Sequence, residues 1–427
     1  MSLLSDALMI PRRYFVVTAT FLLSFLLYVD RVCISTAKGP ILAEFKLSDA
    51  QFGWILSSFA FGYALFQTPA GDFADRHGAR RALAIIAVGW SFFTALTALA
   101  WNFVSLFTVR FLFGASESGA FPGMARAAYS WIPMGERGLV KGINFSASRL
   151  GAAAAMPLLP LMIGGLGWKK AFVVLMAAGM IWAFFWWRWF RDDPRDIRSI
   201  SNAERDFIVA HRRAPPPTGG AAELPLASLF TSLNLWLMMA QYFASNFVFF
   251  FSLSWLFPYV QKTYNLSYPT AGIWAMVPLL AGAVGNLTAG LLVDALYRRG
   301  RSRLSRRLPA MLGFGLAAIG LAMSVGQMQV GGAVFWLSVA LFGADMTLSP
   351  AWSFCIDLGG PQAGRVSGTM NMAGNLGSAL VAVAFPYLLD WSGGPTAFFY
   401  LGGVLSIGGG LAWLFINPAR SLRRPTS

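Results

Sequence analysis

Charge is scarce in this chain: only 12% of its 427 residues are Asp, Glu, Lys or Arg, where soluble domains carry roughly a quarter. So little charge cannot cover a water-facing surface, which excludes a soluble globular protein, a disordered chain and a nucleic-acid-coating basic protein. Cysteine and histidine are scarcer still. The two cysteines, Cys33 and Cys355, lie inside apolar runs with no C-x-x-C spacing, and His77 and His211 are the only histidines. Disulfide frameworks and zinc sites therefore have no support. No G-x-x-x-x-G-K loop is present, so ATP-driven pumping has no motif behind it. No cofactor, no metal and no enzymatic activity are expected.

Apolar sequence is what the chain has instead, at 56% of residues. It falls into twelve runs, at about 14–36, 51–71, 82–101, 103–132, 139–166, 169–190, 234–258, 271–297, 308–328, 330–356, 365–389 and 394–417. A helix rising about 1.5 Å per residue needs about 20 apolar residues to cross a hydrocarbon core of about 30 Å. Barrel strands would instead alternate over about 10 residues. The expectation is an all-α polytopic membrane protein with twelve spans. The first run is too long for a signal-peptide core and lacks a cleavage site, so it is read as a retained span.

The one long polar interruption, 191–230, begins RDDPRD, passes through ISNAERDFI, which can form a short amphipathic helix, and breaks at Pro215, Pro216 and Pro217. It divides the chain into an N-terminal six-helix bundle (1–190), a cytoplasmic linker loop (191–230) and a C-terminal six-helix bundle (231–427). With both termini placed inside, 24 of the 33 Lys and Arg fall on inner segments, five on outer loops and four within spans. The positive-inside rule then sets the orientation, and the net charge of +15 is explained without nucleic acid.

The halves also share a pattern. After the second run comes Gly71-Asp72-Phe73-Ala74-Asp75-Arg76-His77-Gly78-Ala79-Arg80-Arg81; after the eighth, Gly290-Leu291-Leu292-Val293-Asp294 precedes Arg298, Arg299 and Gly300. The leading glycines stand 219 residues apart, about half the chain. Such duplication is common in transporters. With twelve spans and a long central loop, the G-x-x-x-D-R-x-G-x-R-R pattern resembles the major facilitator superfamily. A small residue there allows close helix packing, and Asp75 with the arginines can form an inner ion-pair latch between bundles. Gly71, Asp75, Arg76, Arg80 and Asp294 are the expected gating set. Arg126 is read either as a gate residue or as an interfacial anchor.

Seven charges are candidates for the membrane interior: Asp30, Arg31, Arg110, Glu117, Arg126, Arg149 and Asp345. Each costs about 2.5–3.5 kcal/mol near a bilayer centre on insertion scales, so most must face the bundle interior or a wet cavity. Asp30 and Arg31 are consecutive and point about 100° apart on a helix, so each needs a partner elsewhere. Arg110 and Glu117, seven residues apart, share a face with about 10 Å of axial separation. An acid so placed can carry a proton, while an arginine stays charged and offers a planar fork to a carboxylate.

Further residues sharpen the resemblance to the anion:cation symporter family. They are Tyr28-Val29-Asp30-Arg31, Phe59-Ala60-Phe61-Gly62-Tyr63 with Gln67 and Pro69, Arg110 through Glu117 to Ala120-Phe121-Pro122, Pro350-Ala351-Trp352 with Asp357, and Asn371 with Gly374-Asn375-Leu376-Gly377. The chain looks most like the bacterial sugar-acid branch. That resemblance implies proton-coupling roles for Asp30 and Glu117, with Arg110 the cation paired with them. It implies that Arg31 holds the substrate carboxylate beside Tyr28 and Tyr63, and that Ser349, Trp352 and Asn371 form a hydroxyl-reading wall.

Two residues depart from that pattern. Arg149 stands where several relatives carry a neutral polar residue, and Asp345 in the tenth run is a natural partner for it across the pseudo-twofold. The pair is expected to tune substrate charge, to add a coupling site, or to bridge the halves structurally. The function expected is proton-coupled import of an organic anion such as a hexonate, hexuronate or aldarate by alternating access. Its driving force would be the proton gradient, in a bacterial inner membrane, with the chain acting as a monomer. Export or exchange, another carboxylate class, and a non-transporting substrate sensor remain open alternatives.

Overall fold

In hydrocarbon no water bonds the backbone amides, and a helix satisfies them within its own segment. The computed structural model describes residues 11–133, 136–197, 200–211, 231–359 and 363–417, and among these the regular structure is helical with no strand. Ten helices are long and apolar enough to cross a membrane. The two remaining crossings are less plain. The second and third spans form one helix, Asp49–Thr97, bent at Gly78 with φ 78° and ψ 159°, a conformation that suits glycine. The expected basic loop at 72–81 is thus helix up to that single residue. The fourth span is broken into Phe103–Glu117 and Ala120–Trp131. The molecule is an all-α polytopic membrane protein of twelve spans in two pseudo-symmetric halves.

Local sequence starts these helices. Ser48 Oγ accepts from the Gln51 amide at 3.1 Å, and Gln51 Oε1 accepts from the Ser48 amide at 2.9 Å. Asn102 and Ser105 form a second such box ahead of Phe103, and each box satisfies two otherwise orphaned amides. Arg12–Thr36 begins differently. Its first amides, of Arg12 and Arg13, donate to the Glu204 carboxylate at 2.9 and 3.0 Å, an anion at the positive end of the helix dipole. Glu204 belongs to Asn202–His211, the short helix expected in the linker. The Arg13 guanidinium also pairs with Glu204 at 3.6 Å, so this helix is seated on the first half. The linker prolines at 215–217 lie outside the described residues.

The duplication is written into the packing. An added Cβ at Gly62 would strike the Phe111 carbonyl, and one at Gly285 the Phe342 carbonyl, the same contact between spans two and four and spans eight and ten. Gly151 on the Phe25 carbonyl repeats as Gly377 on the Phe243 carbonyl, between spans five and one and spans eleven and seven. Gly53 against the Ala382 carbonyl repeats as Gly272 against the Met156 carbonyl, and these two contacts join the halves. The helix breaks repeat as well: Arg12–Thr36 and Leu233–Ser254 each lead into an eight-residue helix, Lys38–Phe45 and Leu256–Thr263.

The halves meet tightly at the end away from the described termini. Besides the two glycine contacts, Ser57 Oγ donates to the Ala379 carbonyl at 3.1 Å, the Phe52 and Trp255 rings meet at 6.0 Å between centroids, and Lys38 Nζ stands 4.8 Å from the Trp255 ring. Toward the opposite end the described contacts across the halves are side-chain tips. Lys141 Nζ stands 4.4 Å from the Trp352 ring, Phe145 packs 6.0 Å from the same ring, and Asn375 Nδ2 reaches Gln67 Oε1 at 3.5 Å.

The expected gating residues lie at this second end without joining the halves. Arg76 pairs with Asp72 on its own helix at 2.8 Å. Arg80 donates to the Trp187 carbonyl at 3.0 and 2.9 Å, and its amide to Asp192 at 3.2 Å, none of these partners in the second half. Arg126 lies 5.6 Å from the Tyr129 ring, and Asp294 is exposed. The Asp75 side chain lies outside the described residues. A latch needs the halves to meet at this end, and in this conformation they meet at the other. The tight packing expected of Gly71 is likewise not found: an added Cβ would sit 3.7 Å from Pro122, an ordinary contact. The close approaches on spans two and eight are at Gly62 and Gly285.

Candidate functional site

Six of the seven charges expected in the membrane interior are buried: Asp30, Arg31, Arg110, Glu117, Arg149 and Asp345. They comprise three acids and three arginines. Burying a charge without a partner costs far more than burying a pair, so their pairing is what makes this interior affordable.

Asp30 and Arg31 sit late on Arg12–Thr36, beside the fourth span. Arg31 Nε donates to Glu117 Oε1 at 2.5 Å, and its Nη2 pairs with the same oxygen. Aromatic rings surround the guanidinium, with Tyr28 at 4.7 Å, Tyr63 at 4.9 Å and Phe59 at 5.1 Å from Cζ to ring centroid. Each ring face attracts a cation, so the arginine keeps favourable contacts even when its carboxylate partner is exchanged.

Arg110 lies beside both Asp30 and Glu117, as the resemblance implies, but without a direct ion pair to either. Glu117 makes its direct ion pair with Arg31, while Arg110 rests on Phe113 at 4.2 Å and Phe59 at 5.5 Å. Among the described residues Arg110 Nε and Nη1 and Glu117 Oε2 are buried without a hydrogen-bond partner. Asp30 is buried among Arg110, Glu117 and Trp90. The physical reason is axial. Arg110 lies about 10 Å up its helix from Glu117, whereas Arg31 on the neighbouring span is level with it. A cavity lined by Arg31, Phe59, Arg110, Phe250, Ser254 and Ser378 adjoins the cluster and draws on both halves.

Arg149 and Asp345 form the second constellation. Arg149 Nε donates to Asp345 Oδ2 at 2.9 Å and Nη2 to Oδ1 at 2.5 Å, a bidentate fork between span five and span ten. Phe249 lies 3.7 Å and Tyr28 5.8 Å from the guanidinium carbon. Tyr28 therefore faces both arginines.

The expected hydroxyl-reading wall is spread along spans ten and eleven. Trp352 Nε1 donates to the Tyr242 hydroxyl at 3.1 Å, Asn371 accepts from Asn375 through its carbonyl at 3.0 Å, and Ser349 is half-buried near Gly290. The Asp357 side chain lies outside the described residues. Tyr242, Phe249 and Lys141 were not singled out from sequence. Lys141 falls two residues inside the run drawn at 139–166, which was the signal available; Tyr242 and Phe249 are lost among the aromatics of the seventh span.

Twelve spans in two related halves around buried arginine–carboxylate pairs, with an adjoining cavity between the halves, define a membrane transporter. A family model described as Major Facilitator Superfamily matches residues 20–382, and the chain belongs to that family. It is 31% identical over 417 residues, covering 97% of this chain and 96% of the relative, to a probable sulfoacetate transporter of Cupriavidus necator. It is 30% identical to a D-galactonate transporter of Escherichia coli, covering 93% and 94%. It is 28% identical to a hexuronate transporter of Bacillus subtilis, covering 94% of each chain. These names agree with the resemblance to anion:cation symporters. The fold matches a solved bacterial homologue of the human lysosomal transporter Spinster at TM-score 0.70 and 18% identity, covering 95% of both chains. The chain is a multi-pass membrane transporter and not an enzyme.

Proposed function

We propose that this transporter imports an organic anion, a sugar acid such as a hexonate, hexuronate or aldarate, together with protons. The observation that carries the reading is the buried Arg31–Glu117 pair. Arg31 is the cation a substrate carboxylate needs, and Glu117 occupies it. A proton on Glu117 removes the competing charge and frees the fork, so proton and anion prefer the same state of the site. That shared preference is what couples their movements. Asp30, buried beside Glu117 and Arg110, supplies a second acid to the same cluster, and the unpartnered nitrogens of Arg110 hold the local charge positive when either acid is neutral.

The relatives that carry sugar acids and a sulfonated acid support the anion class. Lysines and arginines concentrated on the segments shared with the termini support a cytoplasmic placement of both ends in a bacterial inner membrane. The chain acts as a monomer, since each chain holds a complete site. The experiment is uptake into proteoliposomes under an imposed inward proton gradient, with labelled hexonates, hexuronates and aldarates. Accumulation that collapses with the gradient supports symport; binding with no gradient-driven accumulation turns the reading to an exchanger or a sensor.

A further inference from the structure

Resting on that reading, the second constellation narrows the substrate. Asp345 engages only one edge of Arg149, the Nε and Nη2 atoms. A guanidinium has five N–H donors, and with Tyr28 as the other hydrogen-bonding neighbour of Arg149, an anion that displaces or shares the tyrosine hydroxyl can take the Nη1–Nη2 edge while the first edge stays paired. The fork is held flat by Phe249 at 3.7 Å, so that edge has a fixed direction. Room for the carboxylate is built into the other half: an added Cβ at Gly282 would collide with Asp345 Oδ2.

A purely structural bridge is a poor account of this pair. It spans the two halves that must move against each other, and a buried pair is seldom better for stability than apolar packing. The geometry instead relates Arg149 to Arg31. Tyr28 lies 4.7 Å from the Arg31 carbon and 5.8 Å from the Arg149 carbon, so the two cations stand no more than about 10.5 Å apart. One small molecule can reach both.

We infer that Arg149 is a second anion-binding cation, oriented by Asp345 as its positioning residue, and that Arg31 and Arg149 together select a small dianion with an acid group at each end. The probes are two matched pairs: galactarate against galactonate, and sulfoacetate against glycolate. Each pair differs chiefly in one terminal acid group. Ligand-induced thermal stabilisation of the detergent-purified protein reads apparent affinity, and counterflow in proteoliposomes reads transport.

The expected result is that wild type favours the dianion of at least one pair by about tenfold or more, as a charge-assisted contact implies. In Arg149→Gln the preference falls to within about twofold, Arg149→Lys restores part of it, and Asp345→Asn lies between. The Arg149→Gln, Asp345→Asn double variant, which leaves no unpaired charge, guards against misfolding and should match the single arginine variant in selectivity. Equal affinity for both members of each pair in wild type would overturn the inference while leaving the transport reading intact. So would a selectivity ratio unmoved by the double variant. No binding or counterflow of any probe would overturn both.

Discussion

Glu117→Gln tests the competition at Arg31 directly. The substitution keeps the shape of a fully buried side chain and imitates the protonated acid. In wild type an incoming carboxylate must displace a partner held by a 2.5 Å hydrogen bond from Nε and a second contact from Nη2. Hydrogen bonds to charged groups contribute about 1.5–3 kcal/mol each. Against that, the amide oxygen of glutamine still accepts from the arginine, and three rings within 5.1 Å of Arg31 hold the cation whichever partner is present. The net gain to an anion is about 1.4–2.8 kcal/mol, tenfold to a hundredfold in affinity. The sign with pH follows. Wild-type affinity falls as pH rises and Glu117 ionises, whereas Glu117→Gln binds tightly and is flat with pH. Isothermal titration of the purified proteins with a transported anion from pH 5.5 to 8.5 measures both. Gradient-driven accumulation should vanish in the variant while counterflow survives. Weaker binding in Glu117→Gln, or a pH slope equal to wild type, would refute the competition.

Three further outcomes are expected. Gly272→Leu places a side chain against the Met156 carbonyl, where it cannot fit, and should part the halves at the end away from the described termini. Thiol labelling at an engineered cysteine there should rise several-fold, and unchanged labelling would count against this contact as a seal. Glu44, near that same end, is held below the usual carboxylate range by its hydrogen bond from Lys169, with the Trp168 indole helping at 2.9 Å; this tie is present above pH 4.5 and lost as pH falls through the lowered value. Protection factors over 38–46, corrected for the intrinsic pH dependence of exchange, should therefore fall on acidification in wild type and fall less in Glu44→Gln. Glu204→Ala removes the anion from the first amides of Arg12–Thr36 and should cost about 1 kcal/mol, read as a lower melting temperature and faster proteolysis within Asn202–His211.

The spans were legible because apolar length is a strong signal, and the repeat because its glycines recur at half-chain spacing. Interruptions within spans were not legible. Ser118-Gly119 and Thr347 break spans four and ten inside stretches whose hydropathy does not change. At the site, consecutive placement was enough to rule out an Asp30–Arg31 pair, and the surplus charges at 149 and 345 were enough to suggest partners. Which arginine takes Glu117 could not be read, because it depends on how far span one slides along span four. Helical spacing orders residues on one helix and leaves the register between helices open. The glycine contacts set that register, Gly151 against Phe25 for the first span and Gly114 against Phe59 for the fourth, through backbone distances no side-chain pattern encodes.

The equal number of acids and arginines in the two central constellations has an electrical consequence. With all six ionised the empty site is neutral, so reorienting the empty transporter carries no net charge through the membrane field. A membrane potential then acts on the loaded step alone, at about 2.3 kcal/mol per elementary charge per 100 mV. Under the proposed symport the charge it acts on is that of the substrate together with its protons: a dianion entering with two protons would move without regard to voltage, and one entering with three would be drawn inward by it.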